Sequence, residues 1–329
     1  MDRLERLRAL VDVAQGRGLE VGPLTRPTVT PELGTIFYAD HASTEDLRAK
    51  YRPDPHVDIE LLTPVDFVLG AVTLPVAAAA EAPFDYVIAS HVIEHVPDVV
   101  GWLGEVTEVL TPGGRLSLCV PDRRFSFDVR RRPSEVAEVV EAHLLQLRRP
   151  AVRATFDHFY RHVEVDAVAL WRTEVSYADR PLDVRVAFEE STRSAETEEY
   201  VDTHCWVCSD REFLELYREL AGMGLVDLAV VSATPTAVDD HEFFVTLEKL
   251  PSGLTPDEVR RRVLDSIPDL VQTPRPAPPE PEPAPPEPQP VPDAPRELDG
   301  REFRLSEREI RAVQLKRAVL TRLRRALHR

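Results

Sequence analysis

An α/β fold with a doubly wound, mostly parallel sheet is predicted by three observations. Short β-rich apolar runs alternate with helical or loop segments through residues 1–125, the pattern that lays parallel strands under covering helices. Two later runs, LVDLAVVSA and HEFFVTLEKL, suit a terminal antiparallel hairpin at the sheet edge. With 43% apolar residues in 329, the chain is long enough to bury one large core and carry appendages.

The elements follow in order. The opening segment places Leu4, Leu7, Leu10, Val11 and Ala14 on one side of a helix. GLEV, after the break at Gly16 and Gly18, is the first strand. TIFYADH is the second, ending on Asp40, and STEDLRAKY has the hydroxyl cap and acidic first turn of a helix start. VDFVL is the third strand, ending at Gly70, and FDYVIAS is the fourth. HVIEHVPDVVGWLGEVTEVL has helical spacing, TPGG stops it, and RLSLCV is the fifth strand, ending at Pro121. From about residue 130 to 205 the alternation breaks into Arg- and Glu-rich helical sequence with Phe156, Phe159, Tyr160 and Trp171, which predicts a helical lid insertion. DREFLELYRELAGMG is a capped amphipathic helix ending in glycine.

The expected division is a core over 1–128, a lid that binds the acceptor over 129–205, and the rest of the sheet with a helix over 206–272. Proline and glutamate dominate the next stretch, a semi-rigid extended linker over 273–297. A basic amphipathic C-terminal helix over 298–329 follows, with Val313, Val319, Leu320, Leu323 and Leu327 against Arg311, Lys316, Arg317, Arg322, Arg324, Arg325 and Arg329. That helix suits an anionic membrane surface or a protein partner through residues 302–329.

A net charge of −17 argues against broad nucleic-acid binding, which needs clustered cations. Three cysteines, Cys119, Cys205 and Cys208, are too few for a disulfide scaffold, and the charged amphipathic start is unlike a signal peptide. A cytoplasmic protein is expected, peripheral at the inner membrane face if the basic helix binds lipid.

In an open α/β sheet, ligands bind beyond the carboxyl ends of the strands. Gly22, after the first strand in GLEVGP, lets a ligand approach bare backbone, and Asp40 can accept ribose hydroxyls. GxGxxG and GxxxxGK[ST] are both absent, which removes the dinucleotide and triphosphate cradles. Together with FDYVIASHVIEHVPD and LTPGG, these residues resemble the class I S-adenosylmethionine-dependent methyltransferases, especially a small-domain type associated with bacterial glycan and cell-surface biosynthesis. The resemblance covers residues 15–128. It implies a Rossmann-like fold, S-adenosylmethionine as methyl donor, and a cofactor site from Glu20, Gly22, Asp40, Asp66, Leu69, Ala89, Ser90 and His91. Many relatives carry Asp-Gly after the third strand, where this chain has Leu69, so adenine is expected against backbone and apolar walls.

Methyl transfer needs positioning and, for a hydroxyl acceptor, a base. His91, His95 and Asp122 are the catalytic candidates at the mouth, histidine being suited to proton transfer near neutral pH. HVIEH also matches the H-x-x-E-H zinc pattern, and His91, Glu94 and His95 resemble the E-x-x-E-H metal site of some metal-dependent methyltransferases, with His91 in place of the first acid. The expectation adopted is that no metal binds and that Glu94 and His95 are hydrogen-bonded packing residues of a helix. Asp157, His158, Tyr200 and His204 are expected to face a small-molecule or glycan acceptor. Cys205 and Cys208 form one C-x-x-C pair, a weak metal or redox signal. The expected activity is O-methylation of a sugar or glycan-linked metabolite. The alternative is a non-catalytic scaffold acting through its proline-rich linker and basic helix.

Overall fold

A computed structural model of the chain describes residues 3–70, 72–172, 182–197 and 199–269. These all fall in the first of two compact units, Met1–Pro279. The expected linker over 273–297 and basic helix over 298–329 lie outside the described residues, as does the second unit, Glu280–Arg329.

The elements in chain order are α1 (Arg3–Arg8), β1 (Arg17–Val21), β2 (Thr35–Asp40), α2 (Thr44–Tyr51), β3 (Phe67–Val68), α3 (Leu74–Ala77), β4 (Phe84–Ser90), α4 (Val99–Val109) and β5 (Leu110–Pro121). Then come α5 (Val136–Leu144), α6 (Val152–Arg161), α7 (Ala167–Trp171), α8 (Val184–Thr197), α9 (Asp210–Gly222), β6 (Leu228–Thr234), β7 (Glu242–Lys249) and α10 (Pro256–Ser266). The strands form one seven-stranded sheet in the order β3-β2-β1-β4-β5-β7-β6. The first five run parallel, and β7 and β6 are antiparallel to their neighbours. The predicted sheet and its terminal hairpin are both present.

Alternation along the strands divides the core. Leu19, Val87, Ala89, Leu116, Leu118, Phe243, Val245 and Leu247 join residues of α4, α9 and α10 in the main cluster. Tyr86, Ile88, Cys119 and Phe244 face the other way, onto Leu7 of α1 and Val29. A side chain at Gly18 would overlap the Tyr86 ring, so β1 lies flush against that ring only because Gly18 has none. α9 and α10 begin on capping boxes, Ser209 with Glu212 and Thr255 with Glu258, each satisfying otherwise orphaned N-terminal donors.

Three local expectations are corrected. α1 ends at Arg8 rather than continuing to Ala14, because β5 captures its carbonyls: Ser117 Oγ donates to Leu7 O at 2.8 Å and Arg115 Nη1 to Leu10 O at 2.7 Å. The helix after β4 starts at Val99, not at His91. Asp98 caps it by accepting from Gly101 N at 2.8 Å, and Ile93–His95 form a separate 3-10 turn. TPGG does not stand between helix and strand, since α4 passes directly into β5 at Leu110. The ladder shifts register there, Phe84 pairing with Leu110 and Tyr86 with Arg115, so Pro112, Gly113 and Gly114 form a bulge.

Between β5 and α9 the described residues of the insertion include the helices α5, α6, α7 and α8. It is pinned to the sheet by Trp171, which stacks on Phe125 at 3.9 Å and donates from Nε1 to Asp240 O at 2.7 Å. Among the described residues, no helix is long and apolar enough to cross a membrane.

Candidate active site

The sheet reverses its winding between β1 and β4, the switch point at which open α/β sheets bind ligands. Gly22 and His91 stand there, both in the left-handed region, with φ of 68° and 54°. A Cβ on Gly22 would lie 2.8 Å from Val92 Cγ2, so the loop and the β4 end approach each other only across a bare backbone. Gly22→Ala is expected to cost about 1–3 kcal/mol through backbone strain and displacement of Val92. An unchanged thermal midpoint would contradict this.

Glu20 is buried and turned toward the following loop. Its carboxylate accepts from Thr28 N at 2.8 Å and from Val29 N at 3.2 Å, so it folds the loop over β1. Asp40 is buried at the end of β2, its Oδ1 accepting from His41 N at 2.7 Å and facing His41 Nδ1 at 2.6 Å. Asp66 accepts from Tyr38 N at 2.9 Å, and Leu69 N donates to Asp40 O at 2.8 Å. Ala89 is buried within β4, while Ser90 Oγ at its end accepts from Arg3 at 2.6 Å. Asp122 is wholly buried, its oxygens taken by Arg124 and by the hydroxyl of Thr236 at 2.7 Å. That leaves it bracing the end of β5.

His91 Nε2 is 2.8 Å from Glu242 Oε2, and its Nδ1 is 3.6 Å from Glu94 Oε1. Glu242, at the start of β7, also pairs with Arg3 at 3.2 Å. Burial opposes its ionisation, but His91, Arg3 and Cys119 outweigh burial and hold its carboxyl down at about 2, against an ordinary 4.5. A folded pKa below the unfolded one stabilises the fold fully above pH 4.5, and that stabilisation is lost as pH falls through about 2. Wild type is therefore expected to lose on the order of 3 kcal/mol more than Glu242→Gln over that range, at 1.36 kcal/mol per pKa unit. Parallel pH profiles in urea unfolding would refute it.

The insertion supplies the facing wall. His204 is buried with Nδ1 at 2.5 Å from Asp128 Oδ2. Burial resists ionisation of Asp128, yet His204 and Arg131 hold its carboxyl at about 2. His95 Nδ1 lies 2.9 Å from Asp202 Oδ1, and Asp202 Oδ2 accepts from Lys50 at 3.2 Å. Burial lowers the His95 pKa, but Asp202 and Glu94 raise it by more. Tyr200 OH donates to His95 O at 3.3 Å, and its ring lies 5.9 Å from that of His41. His158 is pushed down to about 3, chiefly by burial and then by His204. It therefore stays neutral and accepts from His204 N through Nδ1 at 3.3 Å. Asp157 is occupied by Arg131 at 2.9 Å and Arg161 at 2.7 Å.

The structure thus gathers His91, His95, His204 and Tyr200 into one side-chain cluster beside Glu94 and turns Asp157 and Asp122 into braces. Phe127, Asp128 and Glu242 join that cluster, none of them among the residues expected at the site. Phe127 lies 4.7 Å from His204 and 4.8 Å from His162, ring to ring. The adjacency of Asp202 to His204 in YVDTHCWVC was the only local signal; the partners Asp128 and Glu242 are remote in sequence. HVIEH forms no helical zinc face, because its centre is a 3-10 turn. Cys205 and Cys208 are free thiols, burial pushing Cys205 up to about 12 and Cys208 well above its usual value, which opposes a thiolate role.

The sequence profile described as a methyltransferase domain matches residues 1–226, more than half of the 329, and the chain belongs to that family. Its fold is that of a class I methyltransferase, and S-adenosylmethionine is the methyl donor such a domain takes. No curated protein matches the chain. Among solved structures it is similar to an S-adenosylmethionine dependent methyltransferase from Mesorhizobium loti, 16% identical over 75% of this chain and 98% of that one, with a TM-score of 0.36. An O-methyltransferase family 2 protein from Planctomyces limnophilus, in complex with apigenin, is 14% identical over 75% of this chain and 57% of that one, with a TM-score of 0.35. The CurJ carbon methyltransferase is 15% identical over 74% of this chain, with a TM-score of 0.33, and the present chain spans 51% of its length.

Proposed function

We propose that this chain moves the methyl group of S-adenosylmethionine to a hydroxyl of a sugar or glycan-linked metabolite, with His91 taking the hydroxyl proton. The observation that carries the reading is the His91–Glu242 pair at the strand switch point, 2.8 Å apart. A buried carboxylate on Nε2 keeps the ring proton there and leaves the Nδ1 lone pair for a substrate. At 3.6 Å from Glu94, Nδ1 makes no hydrogen bond of its own. Gly22 and Asp40 fit the donor side, one as bare backbone and the other as a carboxylate for ribose hydroxyls, with Leu69 as an apolar wall for adenine.

Bound S-adenosylmethionine supplies a methyl carbon carried on a sulfonium, a strong leaving group. The acceptor oxygen gives its proton to His91 Nδ1 and forms the new C–O bond as the methyl–sulfur bond breaks, its electron pair passing to sulfur. The products are a methyl ether and S-adenosylhomocysteine, and His91 returns its proton to water. The aromatic and carboxylate walls around His204 suit a polyhydroxylated acceptor, and the sugar assignment draws its support from the sequence resemblance.

The test supplies methyl-labelled S-adenosylmethionine and a glycan-precursor extract to the full chain. Labelled ether in a sugar fraction is expected. Donor binding by calorimetry with no labelled product would overturn the enzyme reading in favour of a binding scaffold.

A further inference from the structure

The side chain of Glu94 is out of place for an ordinary packing residue. It is 1% exposed, and neither carboxylate oxygen has a hydrogen-bond partner. A buried acceptor left unmade costs about 1–3 kcal/mol, and more when charged. The sequence expectation of a hydrogen-bonded helical residue is therefore corrected on both counts. What faces Glu94 is imidazole: His95 Nε2 lies 3.9 Å from Oε1, and one nitrogen each of His95 and His204 lies with a Glu94 oxygen inside a set spanning no more than 4.8 Å.

Both rings are held from behind. Asp202 stands at His95 Nδ1 and Asp128 at His204 Nδ1, and Asp128 is itself fixed by Arg131 at 3.0 Å. A carboxylate hydrogen-bonded to Nδ1, as Asp128 is to His204, keeps the proton on that nitrogen and leaves Nε2 with a lone pair, the arrangement that orients metal-binding histidines. A second group, His91, His241 and Glu242, has similar spacing, but Glu242 is already engaged by His91 and Arg3.

We propose that Glu94, His95 and His204 bind one divalent transition-metal ion. Ligand atoms 2.0–2.2 Å from an ion stand about 3–3.5 Å apart, so the 3.9 Å between His95 and Glu94 closes with a small side-chain rotation. Two imidazoles and one carboxylate suit zinc, iron(II), cobalt or nickel, whereas magnesium and calcium take oxygen donors. Three protein ligands leave positions open to a further ligand. Building on the methyl-transfer reading above, the acceptor hydroxyl takes one of them. Coordination favours loss of its proton, which passes to His91 while the electron pair stays on oxygen for the attack on methyl carbon. The ion is neither oxidised nor reduced.

The test titrates cobalt(II) into the metal-stripped full chain and follows the visible absorption of the bound ion. One equivalent is expected to bind wild type. Glu94→Gln and His204→Gln are expected to weaken binding by more than 100-fold, and Asp128→Asn by about 10–100-fold, acting only through the orientation of His204. Circular dichroism and S-adenosylmethionine affinity serve as controls for folding. Absence of binding to wild type at millimolar cobalt, or equal binding by correctly folded variants, would overturn the site. Methyl transfer undiminished by chelator, with no cobalt bound, would reject the ion and leave the methyltransferase reading standing. Cobalt bound at the three residues without methyl transfer to any acceptor would do the reverse.

Discussion

His91→Asn is expected to lower kcat by about 10²–10⁴, the usual contribution of a positioned general base, with little change in affinity for S-adenosylmethionine. Asparagine is the informative replacement because His91 sits at φ 54°, and Asn tolerates that left-handed backbone better than most residues. The His91 backbone N–H donates to Cys119 O at 2.9 Å, a link between β4 and β5 that the variant keeps. Its imidazole is removed, and with it the nitrogen opposite the Glu242 contact. Single-turnover measurement of labelled methyl transfer separates the chemical step from binding. A kcat within twofold of wild type would remove His91 from the role of base. Glu242→Gln is expected to have a smaller effect, since the ring stays and loses only the charge that fixes its tautomer.

Asp40→Ala is expected to weaken S-adenosylmethionine binding by about 10–100-fold, the loss of hydrogen bonds to a charged group at roughly 1.5–3 kcal/mol. The carboxylate ends β2 one strand from Gly22, and Gly22 N donates to Ala39 O at 2.9 Å, so the donor-facing turn and the acid are joined through the sheet. Asp40→Asn keeps the shape and is expected to lose less. Calorimetry of both variants decides the matter, and wild-type affinity in Asp40→Ala would place the ribose elsewhere. His41 contacts the Asp40 carboxylate through both its backbone N and its ring, and these contacts change in both variants. His41→Ala, expected to leave donor affinity near that of wild type, separates loss of the acid from rearrangement of its neighbour.

The sheet was legible because each strand announces itself locally. GLEV, TIFYAD, FDYVIAS and RLSLCV are short apolar runs bounded by turn residues, and the capping box of Ser209 and Glu212 marks α9 by chemistry that needs no distant partner. Where the sequence misled, a remote contact had overruled a local preference. The helical spacing of Leu10, Val11 and Ala14 yielded to Ser117 and Arg115, which capture the carbonyls a longer α1 would use. The spacing of HVIEH yielded to Asp98, whose cap starts α4 later.

The candidate site divides along the same line. Sequence alone determined the strand-end positions of Gly22, Asp40 and His91, and the family follows from them together with FDYVIASHVIEHV, because these are properties of short segments and their order. Only the tertiary structure decided what each histidine meets. His91 meets Glu242, His95 meets Asp202 and His204 meets Asp128 across separations of 151, 107 and 76 residues. Glu94 is buried among them with neither oxygen hydrogen-bonded. A carboxylate's role depends on which group stands within about 3 Å of it, and no local pattern carries a distance between segments that only the closed sheet and its insertion bring together.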